Sequence, residues 1–308
     1  MRFHKLDLNL LVALDALMDE CSVGRAAERL HLSQSAMSNS LAKLREYFDD
    51  QLLVQVGRKM ELTPRAQVLQ DAVRDVLMRV ESSIAMQPQF DPAGSDRQFT
   101  VLVSDYTTTA LMPQVFALAK EQGSTVRFQL LPQSGNPARA LERGEADLLL
   151  IPDVYCSPEH PNEILFEERY VCVAWNASRI AQEPLSFERY VGAEHVVMRP
   201  HGSELAPFES WFVQRYGISR RIVATTYSFL ALPYLVVGTE YLATVHSRLA
   251  DSVRHLIPIT VLRDPLRLSP LALSMQWHKY RTADPGLVWL RQLMVRAAAS
   301  MGPAITPE

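Results

Sequence analysis

The chain has 308 residues, 48% hydrophobic and 21% charged, with a formal net charge of -3. That length allows two or three packed domains, and the near balance of charge excludes a chain that coats nucleic acid non-specifically while leaving room for a local basic face. No stretch reaches the ~18 apolar residues of a membrane span, Asp7, Asp15, Asp19 and Glu20 break up any secretory-type apolar core, and Cys21, Cys156 and Cys172 lack paired spacing, which fits a reducing, cytoplasmic setting.

Residues 1 to about 88 predict helix after helix with one short interruption. Leu10, Leu11, Leu14, Leu17 and Met18 recur at helical spacing, and a compact unit holding Ala26, Ala27 and Leu30 follows. After a break at His31-Leu32, Ser33 is placed as the N-cap of a third helix. In it Met37, Leu41, Leu44 and Phe48 form a buried stripe, while Gln34, Ser35, Ser38, Ala42 and Arg45 fall on a polar, small-residue face. Helix, short turn, helix with a polar presenting face is helix-turn-helix organisation. Gln51 to Leu62 reads as a hairpin turning at Gly57-Arg58-Lys59, and Thr63-Pro64 restarts a helix. In that helix Leu69, Val73, Val76, Val80 and Ile84 alternate in fours and threes, the seam of a two-stranded helical pair, so a second copy of the chain is the expected partner.

Residues 87–95 are a linker by composition. Beyond them short strands alternate with helices: strand at Phe99–Ser104, helix at Leu111–Gln122, strand at Val126–Leu131, helix at Ala138–Gly144 and strand at Asp147–Ile151. This is the pattern of a parallel sheet with helices on its faces.

Leu8-Asn9-Leu10-Leu11, Ala26-Ala27-x-x-Leu30, Leu32 to Ser38, Leu44-Arg45 and Leu62 to Ala66, together with Gly144 to Leu150 and Asp284-Pro285-Gly286-Leu287-x-Trp289-Leu290, resemble the LysR-type transcriptional regulators. The opening residues 1–18 are most similar to the branch that holds the NodD and NahR regulators. Ser35 departs from the family habit of a proline after the recognition-helix glutamine. The resemblance implies an α+β protein: an N-terminal winged helix-turn-helix (1–63), a long linker helix for dimerisation (64–88), a hinge (89–96) and an effector-binding domain (97–308). That domain is expected to be a two-subdomain α/β module of the periplasmic-binding-protein type, with subdomain I at 97–168 and 269–300 and subdomain II at 169–268. It further implies promoter DNA and a small-molecule effector as partners, a homodimer or homotetramer, contact with RNA polymerase, and no cofactor, metal or membrane.

Within that frame Ser33, Gln34, Ser35, Ser38 and Asn39 open the helix that enters the major groove, where Gln and Asn side chains pair with adenine. Arg45, Arg58, Lys59 and Arg65 are placed to meet phosphates. For the effector, Ser104, Asp105, Tyr106, Thr107 and Thr108 follow a strand and open a helix, Pro152 ends a strand on the same side, and His201, Ser203, Thr226, Tyr227, Phe229 and His278 are expected to face the cleft. Mixed aromatic, hydroxyl and imidazole lining suits an aromatic or phenolic effector. Two other readings are open to the same residues: a redox sensor using Cys156 and Cys172, and an enzyme with Cys156 and His160 as nucleophile and base, which lacks any supporting catalytic motif.

Overall fold

The computed structural model describes residues 7–84, 89–133, 135–200 and 207–302. It divides into an N-terminal unit ending near residue 87 and a C-terminal unit holding nearly everything from residue 88 onward.

In the N-terminal unit α1 (Leu8–Glu20) is capped by Asp7 and ends at Cys21 in the left-handed region. Ser22 caps α2 (Val23–Arg29), and Ser33 caps α3 (Gln34–Phe48). Strands β1 (Leu53–Val56) and β2 (Lys59–Leu62) pair antiparallel with Val56 opposite Lys59. Gly57 supplies the positive φ of 63° that this tight turn needs. Thr63 then caps α4 (Pro64–Ile84), its Oγ1 accepting the Ala66 N–H at 3.1 Å and donating to Asp50 Oδ1 at 2.6 Å. Leu14, Leu17, Ala26, Met37, Leu41, Leu44, Leu53, Ala66 and Val73 form one core.

The stripe read along α4 divides differently from the expectation. Val73 is buried and Leu69 and Leu77 pack with it on the unit's own core, whereas Val68 (78% exposed) and Val76 (41%) face outward. Arg74 is buried too, donating from Nε to Asp15 Oδ1 at 2.9 Å and from its terminal nitrogen to Asp19, which fastens α4 to α1.

The C-terminal unit has two five-stranded sheets. The first lobe comprises β3 (Gln98–Leu102), α5 (Asp105–Glu121), β4 (Arg127–Leu131), α6 (Pro137–Glu142), β5 (Leu148–Pro152) and β6 (Asn162–Glu168), completed by the late β12 (Leu271–Gln276) and α11 (Pro285–Ser300). Its sheet order is β4-β3-β5-β12-β6, with β12 antiparallel to both neighbours. The second lobe comprises β7 (Tyr170–Trp175), α7 (Phe187–Gly192), β8 (Glu194–Met198), α8 (Pro207–Tyr216), β9 (Arg221–Thr226), α9 (Leu232–Leu235), β10 (Tyr241–His246), α10 (Ser247–Val253) and β11 (Ile259–Leu262), in sheet order β11-β7-β10-β8-β9. Phe99, Val101, Leu148, Leu150, Met275 and Leu290 sit in the first lobe's core; Val171, Val173, Val196, Leu232 and Val245 sit in the second's.

Helix α5 begins six residues before the predicted start. Ser104 caps it, its hydroxyl accepting the Thr107 N–H at 3.1 Å, and within the added turns the Thr108 and Thr109 hydroxyls bond back to the Ser104 and Tyr106 carbonyls at 2.9 Å. The two C-terminal motifs meet physically. Asp147 accepts the Thr100 N–H at 2.8 Å and pairs with Arg281 at 2.9 Å, while Arg97 lies 3.4 Å from Asp147 and 2.7 Å from Asp284, the cap of α11. A Cβ on Gly286 would come within 2.5 Å of the Arg97 guanidinium. Among the described residues no helix is long and apolar enough to cross a membrane.

Candidate DNA interface and effector cleft

Helix α3 buries Met37, Leu41 and Leu44, which turns Gln34, Ser35, Ser38 and Asn39 to the exposed side as neighbours at three- and four-residue spacing. Ser33 Oγ accepts the Ala36 N–H at 3.2 Å and lies 3.0 Å from Ser35 Oγ, so the cap and the exposed face begin together. Arg58 at the hairpin turn, Lys59 opening β2 and Arg65 in the first turn of α4 are exposed. Arg45 departs from the expectation: its Nε donates to the Gln51 carbonyl at 2.8 Å and a terminal nitrogen to the Leu53 carbonyl at 3.0 Å. Two of its nitrogens therefore tie the end of α3 to the root of the hairpin.

The cleft is fixed by strand direction. Strands β3 and β5 run parallel, so Ser104 and Pro152 lie at one end of the first sheet. Strands β8, β9 and β10 also run parallel, and β7 antiparallel to them places Tyr170 opposite His246, so Arg199, Thr226, His246 and Tyr170 share one end of the second. Ligands of open α/β sheets bind beyond such carboxyl ends.

Residues from the two lobes meet there. Tyr106, on the first lobe's α5, packs into the second lobe's core, donates its hydroxyl to Glu168 and stacks on His246 with ring centroids 4.1 Å apart. Tyr170 lies on His246 at 5.4 Å, and Phe229 meets it edge-on at 4.8 Å. Burial holds the His246 pKa down at about 4, against the pull of Glu168 and Asp105, so the ring is neutral near pH 7. Its Nδ1 is buried without a hydrogen-bond partner among the described residues, as is Arg199 Nε. Burial alone would raise the Glu168 pKa. Bonds from Tyr106, Ser247 and the Arg169 amide hold it below the ordinary carboxylate range, and Arg248 pairs with it at 3.0 Å.

The expected cleft residues distribute unevenly. Ser104, Asp105, Thr108, Pro152, Thr226 and Phe229 are half-buried at the cleft ends, and Tyr227 is 80% exposed. Thr107 is buried, its hydroxyl accepting from Ser104 Oγ at 3.0 Å, so it supports the turn instead of facing the cleft. His201 and Ser203 lie outside the described residues. His278 is misplaced by the sequence reading. Because β12 is antiparallel to β5, Leu273 pairs with Pro152 but Gln276 with Leu149, which carries His278 to the end of the sheet away from the cleft. There it is buried, its Nδ1 accepts the Tyr280 N–H at 3.3 Å, and its ring packs against His160 at 4.7 Å. Tyr170, Arg199 and His246 were not among the expected cleft residues; Tyr170 begins β7, His246 ends β10 and Arg199 directly follows β8, so a strand-end search through the second lobe would have picked them out.

A helix-turn-helix whose polar face is exposed, followed by two α/β lobes with aromatic rings between their strand ends, defines a ligand-sensing DNA-binding regulator. Residues 8–67 match the bacterial regulatory helix-turn-helix protein, lysR family, and residues 92–299 match the LysR substrate binding domain. The chain thus belongs to the LysR family of transcriptional regulators, which are not enzymes. It is 38% identical over 302 residues to nodulation protein D of Bradyrhizobium sp. (strain ANU 289), covering 98% of this chain and 89% of the relative. It is 39% identical over 302 residues to nodulation protein D 1 of Neorhizobium galegae, covering 98% and 97%. Among solved structures it is similar to the transcriptional regulator PA0477 of Pseudomonas aeruginosa, 27% identical with a TM-score of 0.64 over 95% of this chain and 97% of that one. A full-length OxyR variant from Pseudomonas aeruginosa, 17% identical, shares the fold with a TM-score of 0.74 over 98% of each chain.

Proposed function

We propose that this LysR-family regulator binds promoter DNA through α3 and the β1–β2 wing and senses a small aromatic or phenolic compound between the two lobes. Gln34, Ser35, Ser38 and Asn39 read base edges, and Arg58, Lys59 and Arg65 hold phosphates. The observation that carries the effector class is the Tyr106–His246–Tyr170 stack with Phe229 edge-on, at the strand ends of both lobes. Flat aromatic ligands are held by such faces and edges, and His246 Nδ1 and Arg199 Nε, without partners among the described residues, supply polar contacts for a ring hydroxyl or carbonyl. Effector binding changes the angle between lobes and so the assembled state, DNA bending and transcription, as a population shift requires. The exposed Val68 and Val76 on α4 support pairing with a second copy.

The test is selection of genomic fragments by the purified protein with footprinting, repeated with a panel of hydroxylated aromatic compounds. An extended footprint around a dyad that changes with one compound supports the reading; absence of any protected fragment across a range of salt and compounds overturns it. The redox alternative gains no support, since burial pushes the Cys172 thiol up to about 12 and the Cys156 thiol upward as well, the opposite of a reactive thiolate.

A further inference from the structure

The first turn of α5 makes two contacts across the lobes, and they differ in kind. Tyr106 packs into the second lobe's core and donates to Glu168 of its own lobe; both are buried, and Glu168 takes the second lobe's Ser247 hydroxyl at 2.7 Å and Arg248 at 3.0 Å. That cluster is shielded from solvent. Asp105, one residue earlier, is half-buried and reachable. Its Oδ2 accepts from Ser228 Oγ at 2.6 Å and from the Leu230 N–H at 3.2 Å, both on the second lobe, while its Oδ1 accepts the Tyr106 N–H at 2.8 Å.

Behind this contact lies the His246 ring, touching Tyr106 and Phe229, with Nδ1 buried and unpartnered among the described residues. Closure over an unsatisfied polar atom is unfavourable in itself, so a compensating hold is needed. We propose that Asp105 is that hold: a charged latch that keeps the lobes together on the Ser228–Leu230 segment, while the Tyr106–Glu168 cluster remains as the pivot when the latch releases. An effector that satisfies His246 replaces what the latch supplies. Only this last step rests on the cleft being the effector site; the latch is tested without effector or DNA.

Asp105→Asn is the informative change because it keeps the shape and the Oδ1 acceptor but turns the Oδ2 acceptor into a donor facing two donors. Hydrogen–deuterium exchange of the full-length protein, wild type against variant, is followed on residues 227–232 and on strands β7 and β10. The expected result is exchange roughly tenfold faster or more at 227–232, with β7 and β10 unchanged. Equal exchange at 227–232 overturns the latch. A rise that spreads through β7 and β10 overturns it too, since Asp105 would then be part of the lobe's scaffold. An effector found to bind away from His246 would refute the cleft reading and leave this exchange result standing.

Discussion

Arg45 and Arg58 are both cations of the N-terminal unit, yet they are held in different ways. Arg58 is exposed at the hairpin turn, and its neutralisation, like that of Lys59, should lower the slope of log K against log salt by about 0.9, read from promoter-fragment titrations between low and high salt. Arg45→Ala should leave that slope unchanged and instead destabilise the N-terminal unit by about 1–2 kcal/mol, the scale of a charged donor lost from partly exposed carbonyls, read from a urea melt. The sequence placed Ser33, Gln34, Ser35, Ser38 and Asn39 on an exposed face because helical period and capping are local properties. It did not reveal the structural bonds of Arg45, because Asp49 turns the chain at φ 49° and the Gln51 and Leu53 carbonyls come back to it. It misread His278 for a similar reason: a strand's direction is decided by its neighbours, and no spacing within 271–276 encodes it.

Helix α4 is where an element-level pattern was read correctly as a helix and incorrectly as a single seam. Apolar residues at fours and threes serve two partners here, the unit's own core through Leu69, Val73 and Leu77 and the outside through Val68 and Val76. Arg74 escaped notice because a cation within a helix ordinarily reads as solvated. Its removal as Arg74→Ala should destabilise the N-terminal unit by about 2 kcal/mol, the scale of charged hydrogen bonds lost from Asp15 and Asp19, which keep the more exposed Arg29 as a partner, measured by thermal and chemical unfolding. Val76→Glu should raise the dissociation constant for self-association at least several-fold with the unit's melting unchanged, measured by sedimentation equilibrium. Unchanged association would assign dimerisation to another surface.

Across the whole molecule, two buried imidazoles set a pH dependence. His195, by burial and then by Arg220, and His246, chiefly by burial, both have pKa values lowered to about 4. An unfolded histidine takes its proton near 6.5, so between pH 6.5 and 4 the unfolded chain binds protons that the folded one refuses. Stability is complete above about pH 6.5 and is lost as pH falls toward 4, by up to about 3 kcal/mol for each ring. Glu168, lowered from its ordinary value, adds a further loss at still lower pH. Urea midpoints of the full-length protein should fall steadily from pH 7 to 4.5, and His246→Phe should flatten that fall. The order of strands and helices up to β5 was legible in the sequence, because alternating patterns report burial. The pairing of β12 between β5 and β6 was not, since it joins residues more than a hundred positions apart. That late insertion also sets the order in which a nascent chain can mature. The second lobe's strands and helices run from Tyr170 to Leu262 and its core closes with Leu266 and Leu268, all ahead of β12. The first lobe begins earlier and finishes later, waiting with a gap between β5 and β6, so a translation stop between Leu268 and Leu271 would ruin the half made first and spare the half made second.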